Sequence, residues 1–267
     1  TWRHIPRLVR QATNTGTSML RDVVTTFGNR NFVYVVILDT AIGGAGGVLG
    51  ALLMVTYTYF WELDTFQVSI LFGGPPMVAV LIAITSSRYL NEWLEKQQVL
   101  RMSCAVAVLN LLWLTPMKLL GWLPQDTGLV FALVFFNYAI FVTTTIVRTI
   151  ATHALLADIA DEHELATGQR QEGVMFAAAF FAAKFITGFG YLVGGPFLDL
   201  IGLESGMMPG EAPSSVIWGL GLIMGPGLAL LMMIPLRMAM KIELSHAGQL
   251  AVQKALDERR NAAPDPA

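Results

Sequence analysis

Lys184 stands as the lone cation inside a long apolar segment, VMFAAAFFAAKFITGFGYLVGGPFLDL, and Glu172 at the segment's edge is the only acidic residue within fourteen positions of it. A lysine near the middle of a bilayer-length helix costs several kcal/mol unless it faces a polar cavity or a partner. It lies twelve residues beyond Glu172, about 18 Å along a helix, too deep for its stem to carry the charge easily to an interface. Thr187 and Tyr191, at i+3 and i+7, share its face, as the lining of a polar cavity would. Asn137, Thr144 and Arg148, at i, i+7 and i+11, form a second polar stripe in another apolar run. For Arg148 this position favours a structural or gating ion pair. Asp39 sits seven residues into a third run. It either pairs with Arg30 or Arg148 at the mouth of a cavity or lines an ion path, and the sequence leaves both open. The remaining chemistry-bearing stretch is DIADEHELATGQRQE, which holds seven ionisable residues in the fifteen positions from Asp158 to Glu172, among them Asp161 and Arg170.

Several chemistries are excluded. No Ser-His-Asp arrangement, HExxH or phosphate-binding Walker loop occurs, so enzyme function has no support and no catalytic residue is assigned. Asp161, Glu162, His163 and Glu164 are consecutive, and neighbours in sequence do not share a helix face, so no metal site is expected. One cysteine, Cys104, rules out an internal disulfide and a cysteine-based metal cluster. No basic stripe suggests nucleic acid.

The elements that must position these residues follow from composition. The 267 residues are 54% hydrophobic and 13% charged, where a soluble domain carries about 25% charged residues. The charges cluster, leaving apolar runs of roughly 20 residues, the length that crosses a bilayer. Six spans are read at about 32–60, 66–84, 102–119, 129–156, 174–200 and 215–238. The first carries Gly43, Gly44, Gly46, Gly47 and Gly50, whose small-xxx-small spacing lets another helix approach closely. The second is expected to break and kink at Gly73-Gly74-Pro75-Pro76. Trp61 to Asp64 reads as a tight turn, Arg88 to Arg101 as a short charged loop, and Asp158 to Glu172 as an acidic loop. In the N-terminal segment Leu20, Val23, Val24 and Phe27 recur at helical spacing, predicting a short amphipathic surface helix. The chain therefore divides into a segment 1–31, a bundle 32–240 and a charged tail 241–267, read as a surface helix.

Topology follows from the seventeen Lys and Arg residues. Fourteen fall on the side of the two chain ends and the loops near Arg88 and Arg170. The opposite loops hold only Lys118, and the spans hold Arg148 and Lys184. By the positive-inside rule both ends face the cytoplasm, as in a multi-pass protein of the cell (inner) membrane.

The spacing Asp158-x-x-Asp161, then Thr167-Gly168-x-Arg170-x-Glu172-Gly173, then Lys184 in the following span resembles the glycoside–pentoside–hexuronide:cation symporter family of the major facilitator superfamily. The stretches NRNFVYVV and Leu198-Asp199-Leu200-Ile201-Gly202 agree with it. The resemblance covers nearly the whole chain and aligns it with helices seven to twelve of a twelve-helix fold. It implies an all-α transmembrane six-helix bundle, the C-terminal half of a major-facilitator fold, that works by alternating access. It further implies that Lys184 projects into a substrate and ion cavity and that Asp158, Asp161 and Arg170 belong to a cytoplasmic gate. The polar spacings described above add Thr187, Tyr191, Asn137, Thr144 and Asp39 to the expected cavity, and Glu172 and Arg148 to the expected gate. Where a sugar-transporting member carries a Gln-Thr pair, this chain has Ala179 and Phe180, and Glu162 replaces a tyrosine after the second acid.

The expected function is secondary active transport of a small organic solute, sugar-like or amphiphilic, coupled to H+ or Na+ and using no other cofactor. The expected partners are the lipid bilayer, the solute, and an N-terminal six-helix half or a second subunit. The competing expectation is a non-transporting six-span scaffold or assembly subunit of a membrane complex.

Overall fold

The structure, a computed structural model, describes residues 23–169, 171–204, 206–244 and 246–262. Every regular element among them is helical, and six helices are long and apolar enough to cross a membrane. Most of the segment read as an amphipathic helix, with Arg3, Arg7, Arg10 and Arg21, lies outside the described residues, as does Arg170; only Val23–Thr26 shows a helical turn.

Helix α1, Arg30–Phe60, starts where Asn29 leaves helical geometry and its side chain accepts a hydrogen bond from the Phe32 amide at 3.1 Å, satisfying one of the donors a helix start orphans. It ends in a wide π-turn, Thr56–Phe60. A sharp corner follows at Glu62, whose φ is 57°. The Asp64 amide then donates to Gln67 (3.0 Å) and the Gln67 amide donates back to Asp64 (2.8 Å), a reciprocal cap that opens α2, Thr65–Trp93.

Three expectations from the sequence differ from the structure. Helix α2 runs through Pro75 and Pro76 without a break. Proline's fixed φ lies in the helical range, so it removes hydrogen bonds without forcing the chain to leave the helix, which a membrane bundle tolerates. The charged stretch 88–101 is helix except for Leu94 and Glu95, because α3, Lys96–Leu119, begins at once. The Glu95 amide donates to Gln98 at 3.1 Å. Likewise the acidic stretch from Asp158 is no loop: it forms the last turns of α4, Thr127–Thr167, which stops only at Gly168 in the left-handed region (φ 73°). At 41 residues, α4 is about 60 Å long, twice the hydrocarbon thickness. Helix α5, Glu172–Ile201, ends at Gly202 (φ 84°), and α6, Ser214–Lys241, contains a second π-turn, Ile223–Gly227, at Gly225-Pro226. Helix α7, His246–Ala262, closes the chain.

The helices pair in a self-consistent pattern. α1 lies along α5 and α6, α4 lies along α2 and α3, and α3 touches α6. Exchanging α1, α2, α3 for α4, α5, α6 maps this pattern onto itself, which is the packing of two three-helix repeats. Small residues make the α1–α5 crossing possible: Gly43 faces the Ala183 carbonyl, Gly47 faces Thr187 and Gly190, and Gly50 lies under the Tyr191 hydroxyl. The apolar windows of α4 and α5 are the least buried of the six, so the bundle presents an open flank beside α1, α4 and α5.

At the charged end, Phe32, Leu38, Leu100, Leu155, Ile159 and Met175 form one core cluster, and Phe60, Trp61, Leu71, Leu114 and Leu220 form another at the opposite end. Arg101 donates to the carbonyls of Ala239 (3.1 Å) and Ile242 (2.9 Å), tying α3 to the end of α6. Lys118, at the opposite end, lies 5.1 and 5.3 Å from the rings of Phe60 and Trp61, a cation–π arrangement.

Candidate substrate cavity

Three intramembrane charges come from three helices and reach one depth. Asp39 is nine positions past Arg30, Arg148 is ten before Asp158, and Lys184 is twelve past Glu172. Those starting points mark the charged end on α1, α4 and α5, since Asp158 is bonded to Lys96, the first residue of α3. The charges therefore lie about 14, 15 and 18 Å from that end, near the middle of a bilayer.

Asp39, Arg148 and Lys184 line one cavity of about 240 Å³, together with Gly43, Thr149, Thr152, His153, Phe180 and Thr187. Arg148 is only 6% exposed. Lys184 is exposed at the cavity's mouth on the open flank. None of the three makes a side-chain hydrogen bond or ion pair with a described residue. Asp39 and Arg148, a pairing the sequence left open, share the cavity as opposite charges without direct contact. The glycine at position 43 lets α5 come close enough for Lys184 and Thr187 to share a cavity with Asp39. The hydroxyls in the wall spend their protons locally: Thr149 donates to the Thr145 carbonyl (2.8 Å), Thr152 to that of Arg148 (2.9 Å) and Thr187 to that of Ala183 (2.7 Å). They face the cavity as acceptors.

Ile42 and Arg148 also line a second, apolar pocket of about 150 Å³, with Leu49, Leu111, Phe141 and Met232. Thr145 lies in its wall, and its buried hydroxyl oxygen has no hydrogen-bond partner among the described residues.

Other residues singled out from the sequence lie elsewhere. Asn137 clasps α3: its amide donates to the Asn110 carbonyl and side-chain oxygen (3.0 and 3.1 Å), and the Asn110 amide returns to the Asn137 carbonyl at 3.0 Å. It borders a separate space of about 50 Å³ toward the far end. Thr144 hydrogen-bonds the carbonyls of Ile140 and Phe141 and lines none of these cavities. Tyr191 is 53% exposed, its hydroxyl over Gly50, and it too stands outside the cavity wall.

The acidic group at the charged end is partly internal to the chain. Asp158, nearly buried, accepts two hydrogen bonds from Lys96 (2.9 and 2.8 Å) and one from Gln249 of α7. Arg259 donates to the Leu165 carbonyl at 2.9 Å. Asp158 therefore fastens α3 and the tail helix to α4. Asp161 and Glu172 are half-buried nearby. His163 and Gln171 join α4 to the start of α5 through a 2.9 Å hydrogen bond.

His153 is the residue that sequence reasoning passed over. It lines the cavity and packs edge-on against Phe180 at 5.2 Å. Its signal was the i+4 spacing from Thr149, which places the two on one helix face.

An all-helical bundle with six membrane-length helices and a charged cavity at half depth defines a polytopic membrane protein with a transporter's architecture. Comparison with protein families agrees: the profile of the family described as MFS/sugar transport protein matches residues 3–243, and the chain belongs to that major-facilitator family. No curated protein matches the chain. Membership makes this a transport protein and not an enzyme, and it does not favour the scaffold reading.

Proposed function

We propose that the chain is the C-terminal six-helix half of a secondary active transporter of the glycoside–pentoside–hexuronide:cation symporter type. It moves a small organic solute, sugar-like or amphiphilic, by alternating access, with H+ or Na+ as the coupling ion. The observation that carries this reading is the convergence of Asp39, Arg148 and Lys184 from three helices on one cavity at mid-membrane depth. Intramembrane charges are expensive and mark substrate or ion paths. The cavity is smaller than the roughly 300–1,000 Å³ of complete ligand pockets, and it opens on the flank beside α4 and α5. Both features suit half of a site whose other wall comes from an N-terminal six-helix half or a second copy of the chain. Both chain ends lie in the cytoplasm, and Asp161, Arg170 and Glu172 belong to a gate on that side, with Asp158 as its fixed inner post.

The test is gradient-driven uptake into proteoliposomes of radiolabelled galactosides and lysophospholipids under inward Na+ or H+ gradients. Lys184→Ala is expected to abolish uptake while the protein still inserts and purifies, and Lys254→Ala in the exposed tail is expected to leave it intact. Normal uptake by Lys184→Ala would overturn the assignment.

A further inference from the structure

We propose that the solute is an organic anion with an apolar body, its anionic oxygens held by Arg148 and its apolar part seated in the adjoining pocket. This deepens the transport reading and rests on it only for the translocation step.

Arg148 is more than nine-tenths buried, faces the cavity, and has no hydrogen-bond or ion-pair partner among the described residues. A guanidinium is always charged and presents a planar fork of five donors that matches a carboxylate or phosphate. Asp39 is its counter-charge across the cavity, but none of the five guanidinium donors is taken up by a hydrogen bond. Buried donors left unsatisfied are costly, and an anion bound there supplies the acceptors. Asp39 shares the cavity and makes no ion pair with it. With Lys184 at the mouth, the layer carries two positive charges and one negative, His153 aside. The wall hydroxyls have already given their protons to the backbone, so the strong donors facing the cavity are cationic.

The second half of the argument is apolar. Arg148 and Ile42 line both the charged cavity and the pocket of about 150 Å³ walled by Leu49, Phe141 and Met232. A guanidinium at the junction of a charged and an apolar chamber suits a ligand that is itself divided that way. A hexose offers Arg148 hydroxyl acceptors but no counter-charge, and it has no apolar body to fill the second chamber. The shared chemistry is an anionic oxygen group on an apolar body, whether a small soluble acid or a lipid headgroup supplies it.

The experiment uses the full chain in nanodiscs. Cys104 is the single cysteine, so Cys104→Ala with Thr149→Cys places one reporter thiol in the cavity wall. Its alkylation rate with N-ethylmaleimide is measured against 3-phenylpropionate and its neutral amide, and against 1-oleoyl lysophosphatidate and 1-oleoylglycerol. Galactose serves as the uncharged sugar. The anion of at least one pair is expected to protect the thiol at a concentration about tenfold or more below its neutral partner, the discrimination of one charge-assisted hydrogen bond. Which pair responds tells a soluble acid from a lipid headgroup. Arg148→Gln should abolish that difference, and Arg148→Lys should restore part of it. Protection by none of the five, equal protection by the neutral compounds or by galactose, or an unchanged difference in Arg148→Gln would overturn the proposal. If protection holds while gradient-driven uptake fails, the anion site stands and the transport reading falls.

Discussion

At the level of single residues, the polar groups of this bundle divide into those satisfied inside the chain and those held open. Asn110 and Asn137 belong to the first kind. Their amides and carbonyls close a reciprocal clasp between α3 and α4, and Trp113 donates to Asn110 at 3.1 Å. Cross-helix hydrogen bonds of this kind contribute about 0.6 to 1.7 kcal/mol in membrane proteins. A double-mutant cycle of Asn110→Ala and Asn137→Ala is expected to give a coupling energy in that range from unfolding in mixed micelles. Coupling near zero would show that each asparagine acts alone and would return Asn137 to the list of candidate solute contacts. Arg148, Asp39 and Lys184 belong to the second kind. Their charge made them legible in sequence, because an ionisable group in an apolar run is conspicuous and expensive. Which of them share a cavity depended on helix packing that the sequence does not print. Asn137 illustrates the limit. A polar residue at the right helical spacing can serve a neighbouring helix as well as a solute, and only the position of Asn110 decides between them.

At the level of elements, glycine marks where two helices touch only when a neighbour fills the space its missing side chain leaves. A Cβ on Gly47 would stand 2.8 Å from the Gly190 Cα and collide with the Thr187 carbonyl, both backbone atoms that cannot step aside. A Cβ on Gly73 would meet nothing within 4 Å. Gly47→Ala is therefore expected to destabilise the bundle by at least the ~1–3 kcal/mol of an overpacked core, and Gly73→Ala to fall within about 0.5 kcal/mol of the parent. Thermal unfolding in the same detergent measures both, and equal effects would contradict the α1–α5 crossing. The existence of the six spanning helices was readable in the chain because apolar length alone sets it. Their ends were not. Clusters of charge at Arg88–Arg101 and Asp158–Glu172 mark where the hydrocarbon stops, and helices continue past that level when their residues favour helix. Thus α4 carries its acidic residues outward on two to three further turns, and the Pro75-Pro76 pair interrupts hydrogen bonds without ending α2.

At the level of the whole molecule, the repeat packing leaves one flank incomplete. α1, α4 and α5 surround the charged cavity. On that side α5 shows Phe181, Phe185 and Phe189 in a row, the first two rings stacked and the last two edge to face, all more than half exposed. Lipid would cover an apolar row, but it would leave Lys184 at the cavity mouth facing hydrocarbon, at the cost an intramembrane charge carries. A second six-helix unit closing the cavity, as proposed above, would remove that difficulty and would add its own wall to the cavity. The expected outcome is specific to the flank. In the Cys104→Ala background, a cysteine at Phe185 should be protected from a lipid-soluble maleimide in native membranes and should crosslink to a six-helix unit through a short thiol–amine reagent. A cysteine at Leu109, 66% exposed on α3, should react freely and give no such crosslink. The product is an intramolecular link if the second unit is part of the same polypeptide, seen as a peptide pair by mass spectrometry, and a band near twice 29.1 kDa if it is a separate chain. Equal reactivity at Phe185 and Leu109, with neither product formed, would mean that lipid covers both faces and that the cavity is shaped by these six helices alone.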